Sequence, residues 1–243
     1  MSDVSGQEGR FIGGWGAGQY VGIHNAADNI NRRIAQRSSY GWSGGISYLS
    51  QEGTFGFRSG LIFSEQGQVY DGVYERPIND SEETLEFESQ VTLRYIKLPA
   101  LVNFRSHFDG EESVNLHVFA GLQGSILTAA EMEVTPGYEN TGNSPDLTDL
   151  FNNFNYSFVS GAHLNYWFSE RSGLFLGVRL DRSISDIEDK SFQFSEDMPT
   201  EYYFPVSTKK SSRPAQEDME NRRSSRNMAI SLQLGLTFRI DQN

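Results

Sequence analysis

Apolar and polar residues alternate most regularly from Met228 to Ile240, where every even position is apolar and the odd ones are Ala229, Ser231, Gln233, Gly235, Thr237 and Arg239. Successive side chains of a strand point to opposite faces, so this run predicts one strand with a greasy face and a small or polar face. At roughly 3.3 Å per residue it is about 40 Å long, and about 9 to 11 tilted residues suffice to span the hydrocarbon of a bilayer. Seven other segments repeat the template. Phe11 to His24 sets Phe11, Trp15, Ala17, Val21 and Ile23 against a face rich in glycine, as close packing in a narrow barrel needs. Tyr40 to Tyr48 sets Tyr40, Trp42, Ile46 and Tyr48 against Gly and Ser. Thr54 to Ser64 sets Phe55, Phe57, Leu61 and Phe63 against Gly56, Arg58 and Gly60. In Val91 to Arg105 the apolar face is Ile96, Leu98, Ala100, Val102 and Phe104. In Val114 to Leu127 it is Val114, Leu116, Val118, Ala120, Leu122 and Ile126. Phe154 to Tyr166 and Gly173 to Ser183 complete the set, with His163 and Asn165, then Arg179 and Asp181, on their polar faces. Pro99 cannot donate to a ladder, which predicts a bulge or an unpaired position there.

The connections alternate long and short. Long ones fall at about 25–39, 66–89, 130–153 and 184–225; short turns fall near Ser50 to Gly53, Ser106 to Ser113 and Ser169 to Ser172. Eight such strands predict an all-β, antiparallel, up-and-down transmembrane β-barrel occupying 1–243 as a single domain, with short periplasmic turns and long extracellular loops.

A soluble eight-stranded barrel turns its apolar faces inward. Here Trp15, Trp42, Phe55, Phe57, Tyr156 and Phe158 would overfill it, whereas turned outward they supply a lipid band with aromatic girdles. The interior then receives Gly, Ser, Asn, Gln and His, together with Arg58, Arg94, Arg179, Asp181 and Arg239, which can pair with one another.

Composition fits that reading. A hydrophobic fraction of 37 % and the lack of any apolar run near ~18 residues argue against spanning helices, a test that a barrel evades because only alternate residues meet lipid. A net charge of −12 opposes nucleic acid as a partner, since phosphate binding needs a basic stripe. Acids such as Asp80, Glu82, Glu83, Glu86 and Glu88 gather between strands, as in a solvated loop. With no cysteine, thiol chemistry is excluded. The first residues carry neither a basic n-region nor an apolar h-region. The protein is therefore cytosolic or has lost a signal peptide, and the strand pattern selects the second, placing it in the bacterial outer membrane.

Candidate chemistry is sparse. The run Gly13 to Gly18 looks like a phosphate-binding glycine loop, but strand continues where a helix N-terminus is required. His24, His107, His117 and His163 show no metal-ligand spacing, and His117 and His163 read as hydrogen-bonded filling of the lumen. Ser125 and His163 are the one candidate pair for a lipid-modifying enzyme with a rim site, without an identifiable third member. Asp181, Asp186, Glu188 and Asp189 are candidate calcium ligands that lack the spacing of an EF-hand. No catalytic, cofactor-binding or metal residue is assigned, and no cofactor is expected.

The segment Ser59-Gly-Leu-Ile-Phe-Ser-Glu-Gln-Gly67 ends in a Ser-x-Gln-Gly pattern, Tyr95-Ile-Lys-Leu-Pro-Ala-Leu-Val102 follows a Tyr-Leu-x-Ile-Pro-Leu-Leu pattern, and Phe119-Ala-Gly-Leu-Gln-Gly124 comes next. In order and spacing these resemble the small outer-membrane β-barrel proteins of Bacteroidetes grouped around PorT, over strands from Phe11 to Ile240. The resemblance implies an integral outer-membrane protein and, for PorT itself, a part in protein secretion; the closing Phe238-Arg-Ile-Asp-Gln-Asn243 departs from the terminal aromatic of the usual assembly signal. The expected function is a non-enzymatic scaffold or accessory subunit of an outer-membrane secretion, assembly or uptake complex. Its expected partners are outer-membrane lipid and other outer-membrane proteins, and a lipid-modifying enzyme is the alternative.

Overall fold

The computed structural model describes residues 8–23, 34–78, 81–108, 111–134, 147–189 and 225–240. Its strands are β1 (Glu8–Ile23), β2 (Ile34–Glu52), β3 (Phe55–Ile78), β4 (Ser81–Phe108), β5 (Glu111–Val134), β6 (Phe154–Trp167), β7 (Ser172–Ser183) and β8 (Arg226–Ile240). Each pairs antiparallel with its neighbours in sequence, and β1 pairs with β8 from Gly9↔Ile240 to Ile23↔Arg226, so the sheet closes as an up-and-down barrel. Closure leaves no sheet edge within the hydrocarbon, where an unpaired backbone group would be costly.

The alternation decides which face meets lipid. Leu98, Val102 and Phe104 on β4, Val118, Leu122 and Ile126 on β5, and Ile230, Leu232, Leu234, Leu236 and Phe238 on β8 all point outward and are exposed. The residues between them, among them Asn103, His117, Gln123 and Ser231, are buried in the lumen. Trp42, Phe55, Phe57, Tyr156 and Phe158 lie on the outer wall as expected. Arg94 does not lie in the lumen as expected. It has the parity of Leu98, so it points outward and donates to Glu65 at 3.1 Å and Glu131 at 2.7 Å. This solvated ion cluster stands above the apolar residues of β3, β4 and β5 and marks the upper limit of the lipid band.

Above that limit the ladder continues. Within the 66–89 stretch, expected as a loop, 66–78 and 81–89 are paired backbone. β3 and β4 run together from Gln66↔Leu93 to Ile78↔Ser81, and β2 joins them from Ile34↔Gly72 to Ser38↔Gln68. Outside the bilayer the outer face of a ladder meets water and needs no apolar row, which is why an acidic sequence can still be strand. Likewise β2 begins inside the expected 25–39 loop and β5 ends inside the expected 130–153 loop. Of the expected loops, 25–33, 79–80, 135–146 and 190–224 lie outside the described residues.

Two irregularities matter. Pro99 keeps register with Gln123 on β5, but pairing with β3 lapses between Ser59↔Ala100 and Ile62↔Lys97, an unpaired position without a bulge. The bulge is elsewhere: Arg94 pairs with Ala129 and Tyr95 with Leu127, leaving Thr128 as the extra residue, with its Oγ1 donating to the Arg94 carbonyl at 3.1 Å. An extra residue reverses the facing of the strand beyond it. Leu127 is therefore buried below the bulge, and Ala130 and Met132 are buried above it.

The short turns are tight. Gly53 takes φ +60, the left-handed conformation that favours glycine. Arg105 holds this turn by donating to the Gly53 carbonyl at 3.0 Å. In the β6–β7 turn, the Ser169 hydroxyl accepts from the Ser172 amide at 2.9 Å.

Candidate functional site: a braced and capped lumen

The lumen is filled by side chains from facing strands. Arg58 on β3 donates to Nδ1 of His163 on β6 at 3.1 Å and to Oδ1 of Asn103 on β4 at 3.4 Å. A guanidinium has no acceptor, so His163 receives at Nδ1 and donates from Nε2 to Gln233 on β8 at 2.7 Å, the neutral tautomer. Asn103 in turn donates to Nδ1 of His117 at 2.9 Å. Aromatic rings hold the group in place. The Arg58 guanidinium lies 5.0 Å from the Phe119 ring centre, His163 stacks on Phe175 at 4.7 Å, and Phe119 meets His163 edge-on. Gly177 makes this possible, because a Cβ there would sit 2.2 Å from the His163 ring.

Further up the barrel, Asp181 on β7 accepts from Lys97 on β4 at 3.1 Å and from Arg179 at 2.7 Å. Arg179 also donates to the side-chain oxygen of Gln123 on β5. Buried charge is tolerable only when paired and hydrogen-bonded, and these groups satisfy one another across the lumen. Two small cavities remain. One of about 50 Å³ is lined by residues including Arg58, Phe119, His163, Phe175, Arg179 and Gln233. The other, of about 20 Å³, lies beside Tyr95, Lys97, Ser125 and Asp181.

An apolar cap packs on the inner face of β4 and β5 towards the outer mouth. The segment 147–151 runs along β5 beyond the start of β6, with the Leu147 amide donating to the Ala130 carbonyl at 2.9 Å and the Ala130 amide donating to the Thr148 hydroxyl at 3.2 Å. Its short 3-10 turn, Thr148–Leu150, and the bridge Phe151↔Glu188 bring Leu147, Leu150, Phe151 and Ile187 against Val91, Leu93, Tyr95, Leu127, Ala130 and Met132. Asn152 clamps the two cap segments by donating to the carbonyls of Asp186 and Glu188 at 3.1 and 2.8 Å.

The candidate residues separate accordingly. Ser125 and His163 do not meet. Ser125 lies on the rung of Asn155 and His163 on the rung of His117, which sets them roughly 26 Å apart along the ladder. Gly13 to Gly18 is strand paired on both sides, so its amides are not arranged as a phosphate cradle. Asp181 serves the lumen, whereas the Asp186 carboxylate accepts the amides of Glu188 and Ser225 within the cap. Among the described residues no three acids or histidines are grouped to hold a metal ion. His107 belongs to β4, opposite Asn115, and His24 lies outside the described residues. Arg239 faces inward over Trp167, with 5.0 Å from guanidinium to ring centre. Lys97 and Asn103 were not singled out in the sequence. Their signal was parity, as polar residues at odd positions of a strand whose even positions are apolar.

Comparison with known proteins places the chain. Residues 6–189 match the family described as outer membrane protein beta-barrel domain, and the chain belongs to that family. No curated protein matches it significantly. Similar solved structures include the outer membrane protein OprG of Pseudomonas aeruginosa (7 % identity, 98 % of each chain covered, TM-score 0.48). Neisserial surface protein A matches at 12 % identity over 95 % of this chain and 97 % of its own, with a TM-score of 0.43. Ail, the attachment invasion locus protein of Yersinia pestis, matches at 13 % identity over 96 % and 99 %, with a TM-score of 0.37. The protein is a bacterial outer-membrane β-barrel.

Proposed function

We propose that this outer-membrane β-barrel is a non-enzymatic scaffold or accessory subunit of an outer-membrane secretion, assembly or uptake complex. The observation that carries the reading is where the chain invests its extra length. The β3–β4 ladder continues past the ion cluster of Glu65, Arg94 and Glu131 as far as Ile78↔Ser81, and 73–78 and 81–86 pair only with each other among the described residues. At about 3.3 Å per residue this arm stands some 40 Å along the strands above the lipid band. Such a surface suits contact with another protein, while the lumen below it is braced shut. The apolar outer wall supplies the other partner, the lipid of the outer membrane.

The process is proposed from the segments around Ser59 to Gly67 and Tyr95 to Val102, whose likeness to PorT-type barrels of Bacteroidetes favours protein secretion. The test is affinity capture from outer membranes solubilised in mild detergent, comparing the full chain with a variant lacking 70–87. The full chain should bring down defined outer-membrane partners that the shortened one loses. Recovery of both as free monomers would argue against the reading.

A further inference from the structure

We propose that the outer wall carries a site for the phosphate-bearing headgroup of an outer-leaflet lipid, formed by Arg182 on β7 and Arg226 on β8. Both arginines have the outward parity of their strands and are exposed. Arg182 pairs with Met228, and Arg226 lies two residues further along β8 on the same face, so the two are diagonal neighbours. Such neighbours stand about 7 to 8 Å apart at the backbone, close enough for two long guanidinium side chains to grip one phosphate group.

The depth suits a headgroup. The rung Arg182↔Met228 lies ten residues from the rung Ser172↔Phe238 at the periplasmic end. At about 3.3 Å per residue and a tilt of about 40°, that is about 25 Å of height, the thickness of an outer-membrane apolar band. Below the arginines, Leu176 and Val178 on β7 and Ile230 and Leu232 on β8 are exposed on the same wall. Acyl chains can lie on these rows while the phosphate reaches the guanidiniums.

The neighbours of the pair within the wall are apolar. Phe158 on β6 stands opposite Arg182, and Val21 and Ile23 on β1 stand opposite Met228 and Arg226. Among the described residues neither arginine makes an ion pair or a side-chain hydrogen bond. By contrast, the outward Arg37 is paired with Glu88, and Arg94 with Glu65 and Glu131. The carboxylate of Asp186, next to Ser225, accepts the amides of Glu188 and Ser225 in the cap. Arginine matches the geometry of phosphate oxygens, and a cation at the edge of the hydrocarbon is best compensated by an anion held at the same depth. The site rests on the lipid-facing orientation of the wall and not on the scaffold role, which the loss of 70–87 tests separately.

The experiment uses the full chain refolded in dodecyl maltoside, with native mass spectrometry reading the bound lipid. Diphosphoryl lipid A should form a one-to-one adduct, and the same lipid stripped of phosphate should bind about tenfold more weakly or worse, as expected for losing a hydrogen bond between charged groups. Arg182→Gln combined with Arg226→Gln should weaken lipid A to a similar extent, and the corresponding pair of lysine substitutions should recover part of the loss. A retained heat-dependent shift on the gel shows that each variant is folded; if one is not, the two lipids on the unaltered chain decide. Equal binding of the stripped lipid, or undiminished binding to the folded glutamine variant, would mean that apolar contact alone holds the lipid and would overturn the proposal. Displacement of lipid A by millimolar inorganic phosphate would identify a site for free phosphate and overturn it as well.

Discussion

Arg58 and His163 stand 105 residues apart in the chain and are joined by a 3.1 Å hydrogen bond across the lumen. They belong to β3 and β6, strands that are not neighbours in the sheet, so the contact is a chord through the barrel. Lys97 on β4 and Asp181 on β7 form a second chord at 3.1 Å. Ladder hydrogen bonds fix each strand against the next but leave the cross-section free to flatten. Chords between strands three apart resist flattening, and they give a barrel that presents an arm to a partner a rigid base.

The first chord can be cut at its acceptor. His163→Phe keeps a ring against Phe119 and Phe175 but removes the atom that receives the Arg58 proton. A hydrogen bond to a charged group contributes about 1.5 to 3 kcal/mol, so the variant should unfold from lipid vesicles at lower urea with a loss in that range. His163→Gln, which retains an acceptor, should recover part of it. Equal stability of His163→Phe and the unaltered protein would mean that the brace contributes nothing.

The second chord carries charge, and its members are unequal. Asp181→Asn leaves Lys97 and Arg179 buried without their carboxylate, and breaking a buried pair from one side costs about 3 to 5 kcal/mol. Lys97→Met leaves Asp181 with Arg179 still 2.7 Å away and should cost less. The double variant should be closer to the sum of its parts if Arg179 is the dominant partner. Urea titrations of the three proteins form the cycle that measures this.

The faces of the strands were legible because lipid imposes them. Phe55 to Phe63, Leu98 to Phe104 and the even positions of β8 have the one parity that a bilayer permits. Arg94 was placed inside on its charge, although its parity with Leu98 put it outside; above the lipid band an outward charge is free to be solvated. The β3–β4 arm was unreadable for the same reason, since paired backbone in water demands no pattern. The lumen contacts depended on register: alternation says that Arg58 and His163 both face inward, but only the paired rungs bring them to the same height. The bulge at Thr128 left no trace in composition, because a single extra residue changes parity without changing residue type.

That bulge yields a prediction about the cap. Deleting Thr128 should restore an unbroken register between β4 and β5 and leave Ala130 and Met132 facing inward, because the rungs Arg94↔Ala129, Leu93↔Ala130 and Val91↔Met132 then follow directly on Tyr95↔Leu127. Leu147, Leu150 and Phe151 would keep the surface they pack on. The barrel should still form, because the ladders of the lipid band lie below the deletion, and protease added to intact cells should cut near 147–151 no faster than in the unaltered protein. Much faster cleavage would show that the cap depends on the bulge itself.

The orientation of the whole wall can be tested on β8. Its outward apolar run, Ile230 to Phe238, is centred on Leu234, which is 55 % exposed and paired across the wall with Leu176 on β7. Arginine on the lipid face costs about 2 to 4 kcal/mol at the bilayer midplane and about 0 to 1 near the interface. Leu234→Arg should therefore destabilise the barrel in vesicles by the larger amount, and Phe238→Arg, at the periplasmic end of the same run, by the smaller. This gradient is specific to a lipid-facing row: in a lumen both positions would meet polar side chains, and the penalty would follow local packing instead of depth. Harmless Leu234→Arg, or equal penalties at 234 and 238, would show that this face does not meet the hydrocarbon.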